Sequence, residues 1–219
     1  MKQSSIIDII SPVMVGPSSS HTAGAVRLGL LARNVYNAKP EKVTFKLYNS
    51  YALTGKGHGT DKGLLAGLLG LSVDDTRIKD IFNLDISKQF EYKFEYIEDF
   101  NRHPNAVDFI FEGVHNMKIS GDSVGAGEVV IRKINDFTVK FTGKYNTLLI
   151  VYKDVPNMIS RVTNSIHVNI ASLHCDRYAK GEEASMCVCL DGDIDQKVID
   201  FLGLIENIYM IRYIKKLDS

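Results

Sequence analysis

The chain reads as an α/β protein in two blocks, a mixed α/β block followed by a smaller one of βαββαβ order. Two observations predict this. Apolar residues recur at helical spacing over 23–36 and 61–71 but alternate at strand spacing over 43–48, so helix and strand signals interleave. From residue 148 onward the apolar runs are short and separated by turn residues, in the order of a split βαβ ferredoxin-like unit. The blocks part near TGKYNT (142–147), giving expected domains of 1–145 and 148–219.

In the first block, AGAVRLGLLARNVY (23–36) is an amphipathic helix and Val43 to Tyr48 a strand. NSYALTGKGHGT (49–60) reads as a glycine-rich connection, and DKGLLAGLLGL (61–71) as a strongly apolar helix. Residues 72–105 are charged and mixed, with room for a short helix and one or two strands. HPNAVDFIFEG (103–113) is a turn and then a strand, and Gly121 to Ile134 another turn and strand. In the second block, Leu148–Tyr152 is a strand and DVPN (154–157) a turn, since Pro fixes φ and Asn tolerates left-handed geometry. Met158, Ile159, Val162 and Ile166 recur at helical spacing. Val168–Cys175 and Ala184–Leu190 are strands around a YAKGEE hairpin turn. DGDID (191–195) opens a helix over VIDFLGLI, and IYMIRYIKK returns as a strand.

Composition narrows the function classes. Of 219 residues, 45% are apolar and 24% charged, as in a folded soluble protein. Lys plus Arg and Asp plus Glu number 26 each, so net charge gives no reason to expect nucleic acid or an anionic membrane as partner. Asp8 interrupts the apolar stretch of MKQSSIIDIISP, which leaves no signal-peptide core, and no run approaches a membrane span. The three cysteines, Cys175, Cys187 and Cys189, fit a reducing, cytoplasmic setting.

Two segments carry candidate chemistry. GPSSSHTAG (16–24) sets Ser18, Ser19, Ser20 and Thr22 just before a helical pattern. Such hydroxyls cap a helix, and the free N–H groups there can also hold a carboxylate or phosphate. His21 adds a group that exchanges a proton near neutral pH. A capped helix start with a bystander histidine and an anion site remain equally open. TGKGHGTDKG (54–63) offers Lys56, His58, Thr60 and Asp61 among four glycines. It fails the P-loop pattern because Gly57 follows Lys56, and a surface turn explains it as well as a functional loop does. HPN (103–105) reads first as a structural histidine in a turn. SGDSVGAGEVVI (120–131) is a backbone-approach loop or a β-hairpin. Cys187 and Cys189 share one face of a strand and lack the spacing and number of cluster ligands. The six histidines form no zinc pattern.

The strings SPVMVGPSSSHTAGAVRLG, LYNSYALTGKGHGTDKGLLAGLLG and HPNAVDF, in that order, resemble the β chain of bacterial iron–sulfur L-serine dehydratases. The same block is similar to the allosteric substrate-binding domain of some phosphoglycerate dehydrogenases. The C-terminal block resembles an ACT domain, a regulatory module that binds amino acids or pairs with another copy. The resemblance implies conversion of L-serine to pyruvate and ammonia. It also implies a 4Fe–4S cluster held by a partner α chain, acting as Lewis acid on the substrate hydroxyl. His21 would be the base for the α-proton or a donor to substrate, with Ser20, Lys56 and His58 beside it. Ser18, Ser19, Thr22 and Asp61 would bind substrate at the interface between chains. The ACT-like block carries Pro156-Asn157 where that family has Pro-Gly, and its first helix is about one turn short. Both changes touch the usual effector edge, so self-association is as good a role for it. A stand-alone amino-acid sensor is the competing function, and a sugar-phosphate enzyme using the 16–24 loop has no further support.

Overall fold

The computed structural model describes residues 14–217. The signal-peptide reading of the first twelve residues therefore lies outside the described residues. The chain divides into two units between Ile131 and Arg132. No described helix is long and apolar enough to cross a membrane.

The first unit begins with one π-helical turn, Ser19–Ala23, running into α1 (Gly24–Tyr36). Strand β1 (Pro40–Tyr48) follows, then α2 (Ser50–His58) and α3 (Thr60–Leu68). Two 3₁₀ segments, Thr76–Asn83 and Asp85–Gln89, lead to β2 (Glu91–Ile97), β3 (Ala106–Gly113), β4 (Met117–Gly125) and β5 (Glu128–Ile134). The sheet order in this unit is β2-β1-β3-β4-β5, and β6 (Phe137–Phe141) lies past the division. β1 runs parallel to β2 and antiparallel to β3, so α2 and α3 form the crossover that a parallel pair requires.

The core of this unit lies between the sheet and the α1–α3 pair. Phe45, Phe109 and Phe111 from the sheet and Leu28, Leu31, Leu64 and Leu65 from the helices are fully buried. The helices meet backbone to backbone. A Cβ at Gly67 would overlap the Val26 carbonyl, and one at Gly29 would overlap the Leu64 carbonyl. Only glycine permits that approach.

Two sequence expectations are corrected here. NSYALTGKGHGT is not a loop: residues 50–58 form α2, which Gly59 terminates at φ 72° with its N–H on the Gly55 carbonyl. Two glycines lower intrinsic helicity by about 1 kcal/mol each. Tertiary contact outweighs that, because Tyr51 is fully buried and a Cβ at Gly55 would press on Thr60 at 3.2 Å. Gly121 is not a turn but sits inside β4, facing the Leu28 side chain. The turn falls at Ala126-Gly127, both at positive φ (50° and 76°), as in a two-residue hairpin.

In the second unit, β7 (Asn146–Lys153), α4 (Met158–Thr163), β8 (Ile170–Arg177), β9 (Glu183–Leu190), α5 (Gln196–Gly203) and β10 (Ile208–Ile214) follow one another. The sheet order is β10-β7-β9-β8, with antiparallel neighbours throughout, which is the ferredoxin-like arrangement. Leu148, Ile150, Met186 and Val188 bury one sheet face against Met158, Val162 and Leu202 from the helices. Ile159 of the helical pattern points outward at 47% exposure. Asn157 adopts the left-handed conformation expected of it, at φ 69°.

Candidate functional site

The site is built on the turn before α1. Ser18 is extended, and its hydroxyl accepts the His21 backbone N–H at 3.2 Å. The next turn is widened to i→i+5, with Ala23 N–H reaching the Ser18 carbonyl at 3.4 Å. Widened turns of this kind re-aim side chains and recur at functional sites. Two outside groups hold it: the Tyr51 hydroxyl at 2.8 Å and the Ser123 hydroxyl at 2.9 Å both donate to the Ser20 carbonyl. Gly24 is required here, since a Cβ would overlap the Ser123 hydroxyl.

The widened turn aims His21 at α2. Its Nε2 lies 3.0 Å from the Thr54 hydroxyl and 3.3 Å from the Ser50 hydroxyl. Its Nδ1 lies 3.5 Å from the Ser18 hydroxyl. The ring sits 5.2 Å from the His58 ring and 5.3 Å from the Tyr51 ring. Burial, and next the neighbouring His58, lower the His21 pKa, only partly offset by the Ser50 backbone. A neutral imidazole at physiological pH follows, able to accept a proton. His58 Nδ1 donates to the Thr54 carbonyl at 3.0 Å, and the His58 carbonyl in turn accepts the Thr22 hydroxyl at 2.8 Å.

Lys56 and His58 are exposed on α2. The Lys56 ammonium stands 4.9 Å over the Tyr96 ring, whose hydroxyl donates to Asp61 at 3.0 Å. Burial, and then the Asp61 charge, raise the Tyr96 phenol, so it stays protonated as that donor. Beside the turn is a recess of about 210 Å³ lined by Gly16, Pro17, Thr22, Lys56, Lys62 and Lys79. Three lysines give it a positive lining suited to a carboxylate.

The fold thus brings Ser18, Ser19, Ser20, His21, Thr22, Lys56, His58 and Asp61 into one region of the first unit. Thr22 and Asp61, expected among the substrate-binding side chains, are buried at 2% and 6% exposure and bonded inward. Ser50 and Thr54 were not singled out by sequence. Their i, i+4 spacing is the signal, and it carries meaning only once the segment is known to be a helix.

Support comes from behind α2. Asn49 sits at φ 51°, ψ −113°, a strained backbone state for a residue with a Cβ. Its side chain compensates by donating to the Asp99 and Arg102 carbonyls and accepting the Asp99 N–H. Arg102 pairs bidentately with the buried Asp108 at 2.6 and 3.2 Å, and Lys118 and Tyr48 add contacts at 3.0 and 2.9 Å. Burial alone would push the Asp108 carboxyl up, but bonds from Arg102, Ser120 and Lys118 outweigh it and hold the pKa at about 2. His103 of the HPN turn accepts the Asn105 N–H at 3.1 Å, while the Pro104 carbonyl accepts the Tyr51 N–H at 3.2 Å. The turn is therefore structural and helps seat α2.

The cysteines do not form a cluster site. Cys175 lies directly opposite Met186 and packs toward the apolar core of the second unit. Cys187 and Cys189 alternate with core residues, and their thiols face the Lys140 carbonyl and the Thr147 hydroxyl. No group of three or more His, Cys, Asp or Glu able to hold a metal occurs among the described residues.

A family model described as the serine dehydratase beta chain matches residues 5–84. The probable L-serine dehydratase beta chain of Bacillus subtilis (strain 168) is 34% identical over 215 residues, covering 96% of this chain and 98% of that one. The L-serine dehydratase beta chain of Peptoniphilus asaccharolyticus is 35% identical over 208 residues, 92% of each chain. L-serine dehydratase 2 of Escherichia coli (strain K12) is 32% identical over 137 residues, 55% of this chain but only 30% of that longer protein.

Proposed function

The chain belongs to the L-serine dehydratase beta-chain family, and from that premise we propose that its Ser18–Thr22 turn and α2 form one wall of an active site completed by an α chain. The reaction is the conversion of L-serine to pyruvate and ammonia. The observation that carries this reading is the pairing at 5.2 Å of His21, on a hydroxyl-rich turn, with His58 of α2, beside a lysine-lined recess.

Serine has a weakly acidic α-proton and a poor leaving group, so elimination needs a base on one side and an electrophile on the other. This chain supplies the base side. His21, kept neutral by burial and His58, accepts the α-proton or passes hydrogen bonds to the substrate, and His58 lies next to it on the exposed edge of α2. Ser18, Ser19 and Ser20 hold the substrate carboxylate, and the exposed Lys56 on α2 attracts that anion. Thr22 and Asp61 serve the same site by fixing the turn and Tyr96. Loss of the α-proton and the β-hydroxyl gives water and aminoacrylate. Tautomerisation and hydrolysis of that product give pyruvate and ammonia. The electrophilic side is assigned to the α chain with its 4Fe–4S cluster, because the three cysteines of this chain fall short of the four thiolates such a cluster takes.

The second unit, taken from residue 148, is read as an ACT domain on the strength of its βαββαβ order. Asn157 in place of the usual glycine favours self-association over effector binding for it. Three free cysteines fit a cytoplasmic enzyme.

The test is pyruvate formation from L-serine under anaerobic conditions, with this chain alone and with its α partner. Activity in the mixture alone is the expected result. No activity in a mixture whose cluster is spectroscopically intact would overturn the reading, and serine binding by the isolated chain would then point to an amino-acid sensor.

A further inference from the structure

We propose that Thr54 is a positioning residue that sets the proton on both imidazoles, placing it on Nε2 of His21 and on Nδ1 of His58. The assignment follows from which atoms can only accept.

A carbonyl oxygen has no proton to give. The 3.0 Å contact between His58 Nδ1 and the Thr54 carbonyl therefore requires Nδ1 to be the protonated nitrogen of His58. The lone pair of the neutral ring is then on Nε2.

The hydroxyl of the same residue decides His21. Thr54 has one O–H proton, and it donates to the Ser50 carbonyl at 2.9 Å, the usual back-bond of a helical threonine. Toward His21 Nε2, at 3.0 Å, the Thr54 oxygen is left as an acceptor, so Nε2–H is the donor. The opposite tautomer would rely on Nδ1–H reaching Ser18 at 3.5 Å, the longest contact of the ring, to an oxygen already accepting the His21 backbone N–H. The basic nitrogen of His21 is therefore Nδ1, on the side of Ser18.

One threonine thus gives the two rings opposite tautomers, with basic atoms Nδ1 on His21 and Nε2 on His58. The catalytic consequence rests on the proposed function; the proton assignment does not. The variants are Thr54→Val, which keeps the shape but removes the hydroxyl, and Thr54→Ser, which keeps the hydroxyl. Long-range ¹H–¹⁵N correlation on the full chain labelled with ¹⁵N-histidine, at alkaline pH, reads each ring's tautomer directly.

The expected result is Nε2–H for His21 and Nδ1–H for His58 in the parent chain. Thr54→Val shifts His21 toward Nδ1–H and Thr54→Ser restores it, while His58, bound to backbone, stays unchanged as an internal control for folding. Nδ1–H on His21 in the parent, Nε2–H on His58, or a His21 pattern indifferent to Thr54→Val with His58 intact would each overturn the assignment. In the complex with the α chain, Thr54→Val should lower kcat about tenfold and displace the acid limb of the pH–rate profile, with rescue by Thr54→Ser. A shifted tautomer with unchanged kcat and profile would uphold the proton assignment and instead overturn the catalytic reading of this turn.

Discussion

The Thr22 hydroxyl donates to the His58 carbonyl across 2.8 Å, so the turn bearing one imidazole is tied to the end of the helix bearing the other. Thr22→Val removes that tie at constant shape and leaves the His58 carbonyl short of a donor. The expected cost is about 1–2 kcal/mol, seen as a lower urea midpoint, together with a fall in kcat of the α-chain complex. A kcat equal to the parent's would show that the spacing of the two rings is immaterial.

Folding lowers the His21 pKa, through burial first and then His58, so the folded state binds that proton less tightly than the unfolded chain does. Its linkage term therefore favours the folded state above the ordinary histidine value of 6.5 and weakens as pH falls below it. For the same reason the acid limb of the pH–rate profile should lie below the ordinary imidazole range. His21→Ala should reduce kcat by about 10²–10⁴-fold while circular dichroism stays that of the parent, and full retained activity would remove His21 from the mechanism.

Asp108 titrates in a different window. Its pKa falls from the ordinary 3.8 to about 2, because bonds to Arg102, Ser120 and Lys118 more than offset its burial. The stabilisation is complete above about pH 4 and disappears as pH drops through about 2, where the folded carboxyl takes up its proton. Asp108→Asn should cost about 3 kcal/mol at neutral pH and flatten the acid limb of the stability profile between those values. Comparing urea midpoints of the two chains across that range tests both statements.

Gly67→Ala tests the contact between α1 and α3. The added methyl would overlap the Val26 carbonyl, which is backbone and cannot swing aside. A loss of about 3 kcal/mol or more is expected, in contrast to the gain that Gly→Ala brings at an open helical site. Gly57, with nothing near its missing Cβ, is the matched control in α2: Gly57→Ala should stabilise by about 0.5–1 kcal/mol.

Asn157 sits at φ 69°, where a Cβ is disfavoured but the short Asn side chain is tolerated. Asn157→Gly should be neutral or slightly stabilising, and Asn157→Ala should cost about 1 kcal/mol by thermal unfolding.

Much was legible without coordinates because it depends on neighbours in sequence. The 3.6-residue recurrence that makes α1 and the alternation that makes β1 are local properties, as are the turn residues that separate the elements of the βαββαβ unit. The grouping of Ser18–Thr22 with Lys56, His58 and Asp61 was reached through motifs that the chain shares with a family.

The tertiary structure decided the rest. Residues 50–58 are rich in glycine and read as a loop, since intrinsic propensity is a weak term. Burial of Tyr51 and the close fit at Gly55 are stronger and make a helix of them. That helix alone puts Ser50 and Thr54 on one face toward His21, and no pattern in the sequence specifies the approach of Thr54 to a ring 33 positions away. Local order is written residue by residue, whereas the proton positions on two imidazoles depend on which distant oxygen can donate and which can only accept.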